Sequence, residues 1–338
     1  MLEWMKRKGV LWSARTYFVD ALSYMALGLF SSLLIGLIIK TIGTQLGIEL
    51  FVELGTFAMD GKVVGAAIGV AVAYALKAPP LLLFSAIFVG AMGNQVGGVA
   101  GSYFAVLVTV EFVKLLYQTT KLDILVVPFS MILMGYGSAQ LIGLPIQELM
   151  SYLGNTINWA TMQHPLIMSM IVATIMGLAL TAPISSAALS FMLGLEGVAA
   201  GAAVIGCSAQ MVGFAAISYR ENGFSGAVAQ GIGTSMLQIG NIVKNPWILV
   251  PPTLAGLICA PIAIVGFEML NNKAGAGMGT SGFVGQFMAF ETMGFSVHTA
   301  SLVLVFHIIL PVVLSLGIAM LMRQKGLINT GDLTLTLR

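Results

Sequence analysis

Long apolar runs separated by short polar connections make up most of this chain. They fall at about 21–39, 63–76, 79–92, 101–117, 123–144, 165–182, 186–218, 224–240, 247–269 and 299–322. A membrane-spanning helix needs roughly 20 apolar residues, and several of these runs are shorter or richer in glycine. The pattern predicts an all-α polytopic membrane protein with about 8–10 transmembrane helices plus re-entrant hairpins.

A polar stretch at 145–163 divides this pattern near the middle of the chain. We therefore expect an N-terminal transmembrane half, residues 1–150, that serves mainly for packing. A C-terminal transmembrane half, residues 151–325, is expected to bind the substrate and to contain two hairpins. A short polar tail, residues 326–338, completes the predicted organisation.

Basic residues flank both ends of the apolar region: Lys6, Arg7, Lys8 and Arg15 before the first run, and Arg323 and Lys325 after the last. Cytoplasmic loops of membrane proteins carry an excess of Lys and Arg. Both termini, and with them the tail, are therefore predicted to be cytoplasmic. That orientation requires an even number of full spans in a multi-pass plasma-membrane protein.

Composition agrees with a membrane protein and excludes several other classes. Of the 338 residues, 58% are hydrophobic and 8% charged, and the mean hydropathy is +0.98, whereas soluble domains carry about 25% charged residues. A net charge of +2 without a basic stripe gives no reason to expect a nucleic-acid partner. The three histidines share no metal-ligand spacing, so neither a metal nor a cofactor is expected.

Two segments, Gly231–Ser235 and Gly277–Ser281, repeat the pattern G-x-G-T-S within apolar surroundings. Each is followed by a glutamine, Gln238 or Gln286. A bilayer tolerates irregular, glycine-rich backbone only where it is buried in protein or lines a water-filled cavity. The two segments therefore predict the walls of a mid-membrane pocket that binds a small polar solute.

The stretch that contains the first segment concentrates hydroxyl and amide groups, and we take as candidate substrate-binding residues Thr234, Ser235, Gln238, Asn241 and Asn245. If the chain is helical after the glycine break, Thr234, Gln238 and Asn241 lie on one face, at i, i+4 and i+7. Such a face suits a ligand rich in hydroxyl groups. The alternative is a structural polar seam between spans.

The stretch Gly275–Glu291 repeats this chemistry, with Thr280, Ser281 and Gln286 as candidates. It adds phenylalanines, and aromatic faces combined with amide groups are typical of sugar sites. Glu291 is a further candidate because a carboxylate near membrane depth is costly unless it is paired or functional. The alternative is an external loop packed by its aromatic residues.

A third polar group lies in the N-terminal half, where Asn94 and Gln95 stand between Gly93 and the pair Gly97 and Gly98. Amides both donate and accept hydrogen bonds, so these two side chains could bind solute hydroxyls. The alternative is a close contact between helices, with small residues and interhelical amide bonds.

The order of these segments resembles enzyme IIC, the membrane subunit of bacterial phosphotransferase-system sugar transporters of the glucose/lactose/cellobiose superfamily. The family's G-I-T-E-P hairpin, V-x-N-P stretch and following span start resemble Gly231–Ser235, Ile242–Pro246 and Ile248–Pro252. Its later W-T-T-P hairpin resembles Gly279–Gly294. Over its whole length the chain is similar to the compact enzyme IIC branch typified by the perfringolysin-regulator membrane protein.

The resemblance implies a sugar permease in the bacterial cytoplasmic membrane, a homodimer formed through the N-terminal half, and soluble IIA and IIB proteins as partners. Two positions depart from the family pattern. The glutamate of the family's hairpin is replaced by Thr234, and no histidine lies near Leu180–Pro183, where the family has one. A threonine binds a hydroxyl but cannot act as a carboxylate base, so the sequence leaves open whether this chain supports sugar phosphorylation.

We therefore predict a membrane transporter that resembles a phosphotransferase-system permease and binds a small, sugar-like solute. Two alternatives stay open: a secondary carrier that does not phosphorylate its solute, and a membrane sensor that regulates gene expression.

Overall fold

The computed structural model describes residues 2–10, 13–182 and 185–335. Helices account for 85% of the chain. The described ranges contain no strand, only an isolated antiparallel bridge between Gly197 and Asn271. The chain divides into two compact units, Met1–Leu153 and Gly154–Arg338, with the division inside one helix. The roles predicted for residues 1–150 and 151–325 stay predictions.

The helices of the first unit are, in chain order, α1 (Leu2–Arg7), α2 (Thr16–Leu46), α3 (Glu49–Ala58), α4 (Gly61–Ala75), α5 (Pro80–Leu116) and α6 (Asp123–Gln163), the last of which continues into the second unit. Single π-helical turns lie within α2 and α6, at Thr16–Asp20, Phe30–Leu34 and Ala139–Gly143. They keep each helix continuous while changing the direction of its side chains.

The helices of the second unit are α7 (Pro165–Thr181), α8 (Ser186–Leu193), α9 (Gly197–Ile217), α10 (Tyr219–Val228), α11 (Ile239–Lys244), α12 (Pro246–Phe267), α13 (Lys273–Ala276), α14 (Val284–Met293) and α15 (Val297–Gln324). Tight turns follow α10 and α13, and these are a π turn at Ala229–Gly233 and 3₁₀ turns at Ser235–Gln238 and Ser281–Phe283. These short elements stand where the sequence predicts hairpins.

Six helices within the described ranges are long and apolar enough to cross a membrane: α2, α5, α6, α9, α12 and α15. The pair α3 and α4, bent by 51°, makes seven if it forms one span. The prediction of an all-α polytopic membrane protein is confirmed. The count is below eight to ten because the runs 79–92 and 101–117 together make one candidate span, α5, which is kinked at Gly97 and Gly98, and because α7 has only 17 residues.

Small residues let α4 and α5 pack closely in the first unit. A methyl group added at Gly69 would lie 2.3 Å from the Ala86 carbonyl oxygen, and one added at Gly90 would lie 2.2 Å from that of Gly65. Such close backbone approach is a common means of helix association in membranes. Glycine at these positions is therefore a packing requirement.

Helix α9 is the centre of the second unit. In its apolar window 94% of the residues are buried, as expected for a helix that is apolar on every side. It crosses α7 so closely that a methyl group at Gly206 would lie 1.9 Å from the Ala173 carbonyl oxygen. Helices α12 and α15 also pack on α9. The polar segments of the second unit are thus arranged around a rigid, small-residue helix.

Candidate functional site

The first G-x-G-T-S segment begins in the π turn that continues α10 and ends in a 3₁₀ turn. Thr234 has extended backbone, and its hydroxyl accepts a hydrogen bond from the Met236 amide at 3.2 Å. This bond caps the 3₁₀ turn and leaves Thr234 half-buried. The next residue, Ser235, is fully buried.

The second segment follows α13, whose first turn is capped by the Asn272 side chain, which accepts from the amides of Ala274 and Gly275. Gly279 has φ = +54°, and a methyl group there would lie 2.7 Å from the Cys207 carbonyl carbon of α9. Only glycine meets both conditions without strain. The segment is therefore pressed directly against the backbone of the central helix, with Thr280 buried and Ser281 half-buried.

The two segments contact each other. The Thr280 hydroxyl donates a hydrogen bond to the Gly231 carbonyl oxygen at 2.5 Å. The predicted mid-membrane pocket stays a prediction, because the three cavities described in the structure are lined by other residues.

A chain of buried hydrogen bonds leads from the first segment into the helices. The hydroxyls of Ser235 and Thr181 lie 2.8 Å apart, and Thr181 donates to Gln210 Oε1 at 3.3 Å. The Gln210 side-chain amide in turn donates to the Thr253 hydroxyl at 2.8 Å. Four elements, namely α7, α9, α12 and the first segment, thus share one polar network inside the second unit.

The sequence analysis missed Thr181, Gln210 and Thr253. Gln210 carried a usable signal, since it is an amide within the otherwise small and apolar helix α9, where an unpaired polar group is costly. Thr181 and Thr253 gave no such signal. A threonine in an apolar helix normally bonds its own backbone, and both do so here, to Gly177 and Leu249.

Gln286 extends the polar region beyond the second segment. Its side-chain nitrogen lies 3.1 Å from His307 Nδ1, and both side chains are buried. Gln286 Oε1, His307 Nε2 and Ser208 Oγ are also buried and have no hydrogen-bond partner among the described residues. An unpaired buried polar group costs about 1–3 kcal/mol, so these atoms have free capacity to bind a polar ligand.

The amides that follow the first segment bind the C-terminal tail. Gln238 donates to the Leu333 carbonyl at 3.0 Å, Asn241 to that of Thr334 at 3.0 Å, and Asn245 to that of Leu327 at 2.9 Å. Asn245 also donates to Asp332 Oδ2 at 2.7 Å. The buried Gln230 belongs to the same row, accepting from the Gln238 amide at 2.8 Å.

The start of α10 also binds the tail. Glu221 Oε2 accepts from the Leu333 amide and the Thr334 hydroxyl at 3.0 and 3.1 Å. Asn222 bonds Leu333 and Leu335 at 2.8 Å each. The described part of the tail is thus hydrogen-bonded both to the start of α10 and to the residues that follow the first segment.

The other candidates lie apart from this network. Glu291 is exposed and accepts from the Asn272 side chain at 2.8 Å. In the first unit, Asn94 donates to the Gly61 carbonyl at 2.8 Å, its Oδ1 is buried with no partner among the described residues, and Gln95 is exposed. Both precede a break in α5 at Gly97 and Gly98, whose backbone is non-helical.

Of the stretch 180–183, the structure describes 180–182, and Pro183 lies outside the described residues. Within the described ranges, no group of three or more His, Cys, Asp or Glu side chains is placed to hold a metal ion.

Comparison with protein-family models gives a match over residues 19–335 to the family described as Phosphotransferase system, EIIC. Comparisons with curated proteins and with solved structures give no match.

Proposed function

Because the chain belongs to the EIIC family of the phosphotransferase system, we propose that it carries a small, sugar-like solute through a site built around its two G-x-G-T-S segments. The chain is a multi-pass membrane transporter of the phosphotransferase type.

The single observation that carries the proposed site is the contact between Thr280 and Gly231. It brings together two segments of the same composition, together with the buried polar network of Ser235, Thr181 and Gln210. A structural seam needs its polar groups paired, whereas this region holds buried polar atoms on Ser208, Gln286 and His307 without partners in the described ranges.

A sugar hydroxyl both donates and accepts, so it complements these groups. Gln286 Oε1 accepts, and the Ser208 hydroxyl does either. Each hydrogen bond contributes about 0.5–1.5 kcal/mol net, so several are required to hold a neutral solute. Transport then requires the site to move between the two membrane faces, by rigid-body motion of the hairpin-bearing half.

The remaining candidate residues have weaker support as solute ligands. Gln238, Asn241 and Asn245 bind the tail, so they reach a solute only when the tail has moved. Asn94, Gln95, Ser281 and Glu291 are kept as candidates from the sequence pattern.

Thr234 is expected to limit the phosphorylation of the solute. A phosphoryl group delivered by a soluble IIB protein reaches a solute hydroxyl most readily when a base removes the hydroxyl proton, and Thr234 stands where the family has glutamate. Loss of a positioned base lowers rates by about 10²–10⁴-fold. We expect weak phosphorylation together with retained solute binding.

The test is uptake of a panel of labelled mono- and disaccharides into proteoliposomes, with and without the soluble IIA and IIB proteins and a phosphoryl donor. Ser235→Ala and Thr280→Val should weaken binding of the solute that is taken up. Ser301→Ala is the matched control because Ser301 is exposed and bonds only the His298 carbonyl within the described residues. Thr234→Glu should raise phosphorylation. Robust phosphorylation by the natural chain, unchanged in Thr234→Ala, contradicts the role given to Thr234.

A secondary carrier is the second candidate. Thr234 and the absence of histidine at 180–182 favour it, because both remove groups that the phosphorylating family members use. Solute exchange across the membrane at full rate without IIA, IIB or a phosphoryl donor would establish this function instead.

We further propose a homodimer with both termini in the cytoplasm. The orientation is supported by the excess of Lys and Arg at the chain ends. A cysteine introduced at Ser13 or Thr330 should resist labelling by an impermeant reagent in intact cells, and labelling of either contradicts this orientation.

The mass of the purified protein after correction for detergent tests the dimer, and the mass of one chain contradicts it.

A further inference from the structure

A cavity of about 800 Å³ lies between α9, α10 and α15 in the second unit. Its inner wall is apolar, formed by residues such as Val212, Ala216, Val312 and Leu316. Its polar lining residues are all at one end: Tyr219, Arg220, Arg323 and Gln324. None of the residues that line this cavity, which we call the α9–α15 cavity, is a candidate of the solute site.

The polar end of the cavity coincides with the ends of two candidate membrane spans. Helix α9 ends at Ile217 and α15 ends at Gln324. The ends of spanning helices lie at the boundary between hydrocarbon and headgroups. From Gln324 back to Val312 the helix rises about 18 Å at 1.5 Å per residue, close to the ~15 Å hydrocarbon depth of one leaflet. The cavity therefore extends from headgroup level into the hydrocarbon.

The two arginines at the polar end have unused binding capacity. Arg220 is exposed and makes no hydrogen bond or ion pair among the described residues. Arg323 bonds the Ile217 carbonyl at 2.9 Å and Glu221 Oε1 at 3.4 Å, but its Nε is buried without a partner in the described ranges. One nearby carboxylate faces two guanidinium groups, so the end of the cavity carries net positive charge.

We propose that the α9–α15 cavity binds an anionic phospholipid, with an acyl chain along the apolar wall and the headgroup phosphate between Arg220 and Arg323. An apolar wall offers a sugar no hydrogen bonds, and free phosphate would leave that wall unfilled. Guanidinium groups bind phosphate by charge-assisted, often bidentate hydrogen bonds. The proposal rests on the membrane location of the chain and does not depend on the solute site.

Occupancy of the cavity would also touch the first G-x-G-T-S segment. Ala227 lines the cavity two residues before the π turn Ala229–Gly233, and Ala215 lies in ordinary van der Waals range of a methyl group placed on Gly231. A lipid in the cavity therefore stabilises α10 and the turn that follows it.

The test measures lipid binding to the full-length protein in a neutral detergent. Phosphatidylglycerol and phosphatidylcholine with identical acyl chains are titrated while the melting temperature is followed, and native mass spectrometry counts the bound lipids. We expect phosphatidylglycerol to raise the melting temperature by several degrees and to bind at least fivefold more tightly than phosphatidylcholine. Inorganic phosphate alone should give no shift.

Arg220→Gln is the principal variant because Arg220 is exposed and its loss leaves no internal contact unpaired. It should weaken phosphatidylglycerol binding at least fivefold. Lys325→Gln is the matched control: it removes the same charge next to the cavity without altering its lining. Ala216→Trp should fill the apolar part and lower the binding of both lipids.

Each contrary result overturns the proposal. Equal protection by phosphatidylcholine excludes recognition of the headgroup charge, and equal protection by inorganic phosphate excludes a lipid site. Unchanged affinity in Arg220→Gln, or an equal loss in Lys325→Gln, shows general charge attraction in place of this cavity.

Discussion

The two G-x-G-T-S segments share a sequence pattern but bury different hydroxyls. In the first, Ser235 is fully buried and bonds Thr181, while Thr234 is half-buried and caps a turn. In the second, Thr280 is buried and bonds Gly231, while Ser281 is half-buried. The same sequence pattern therefore does not give the two segments the same hydrogen bonds.

The glycines explain the difference. In the second segment both glycines are required: a methyl group at Gly277 would lie 2.2 Å from the Ser186 carbonyl oxygen, and Gly279 has a positive φ. In the first, Gly233 has open space around it and Gly231 meets only ordinary contacts. The second segment is fixed by close backbone packing, whereas the first is fixed by side-chain hydrogen bonds, such as the one between Ser235 and Thr181.

The largest expected effect comes from adding a methyl group at these glycines. Gly277→Ala and Gly279→Ala should each destabilise the protein by about 3 kcal/mol or more, because the methyl group meets backbone atoms that cannot move aside. Gly231→Ala and Gly233→Ala are the matched controls and should stay within about 1 kcal/mol of the natural chain. Thermal unfolding followed by fluorescence-detected size exclusion measures all four. Equal losses in both segments would remove the distinction between them.

Removal of the hydroxyl groups should give the next largest loss of stability. In the first segment the serine should matter more than the threonine, and in the second segment the threonine should matter more than the serine. Ser235→Ala and Thr280→Val should cost about 1–3 kcal/mol, since each leaves a buried partner with fewer hydrogen bonds. Thr234→Val should cost about 0.5–1 kcal/mol through the lost cap, and Ser281→Ala about 0.5 kcal/mol at most. Chemical unfolding checks the order. A larger loss at Ser281 than at Ser235 contradicts the burial pattern.

The tail should matter for the residues that follow the first segment and not for the second segment. Asn245→Ala removes the bonds to Leu327 and Asp332 and should increase amide hydrogen exchange across 326–335 and across 238–245, which holds the amides that bind the tail. The local loss is about 1–2 kcal/mol. Exchange in the second segment should not change, because no described tail residue bonds it. Equal deprotection of 238–245 and of the second segment in hydrogen-exchange mass spectrometry would contradict this restricted role of the tail.

The smallest effect concerns an ion pair formed by Lys273, shortly before the second segment. Its Nζ lies 3.8 Å from Glu196 Oε1. Burial raises the pKa of the Glu196 carboxyl above its usual value, and Glu291 raises it further, against the opposing effect of Lys273. The folded chain therefore holds this proton more tightly than the unfolded chain, so the contribution to stability falls as pH rises from the ordinary carboxyl range through the raised pKa.

Glu196→Gln should reduce this pH dependence, with a small change in melting temperature because both side chains are about half exposed. Glu49→Gln, at an exposed carboxylate of α3, should leave it unaltered. A steeper dependence in Glu196→Gln contradicts the direction given for the pKa.

Hydropathy and glycine content were sufficient to predict an all-α membrane protein, because both depend only on local composition. The predicted break next to Asn94 and Gln95 matches the non-helical backbone at Gly97 and Gly98 for the same reason. The number of membrane spans was harder to predict from the sequence. The two apolar runs of α5 are joined across non-helical backbone at Gly97 and Gly98, and hydropathy alone does not distinguish one kinked helix from two separate spans.

The motifs identified two polar segments, but only the tertiary structure decided that Thr280 bonds Gly231, that Gln210 joins Ser235 through Thr181, and that Asn245 binds the tail. These pairs are far apart along the chain, and their meeting is set by the packing of α7, α9 and α12. A sequence pattern records which groups can form hydrogen bonds, whereas the fold decides which of them reach a partner and which, like Gln286 Oε1, are buried without one in the described ranges, because such pairs form only through packing between distant segments.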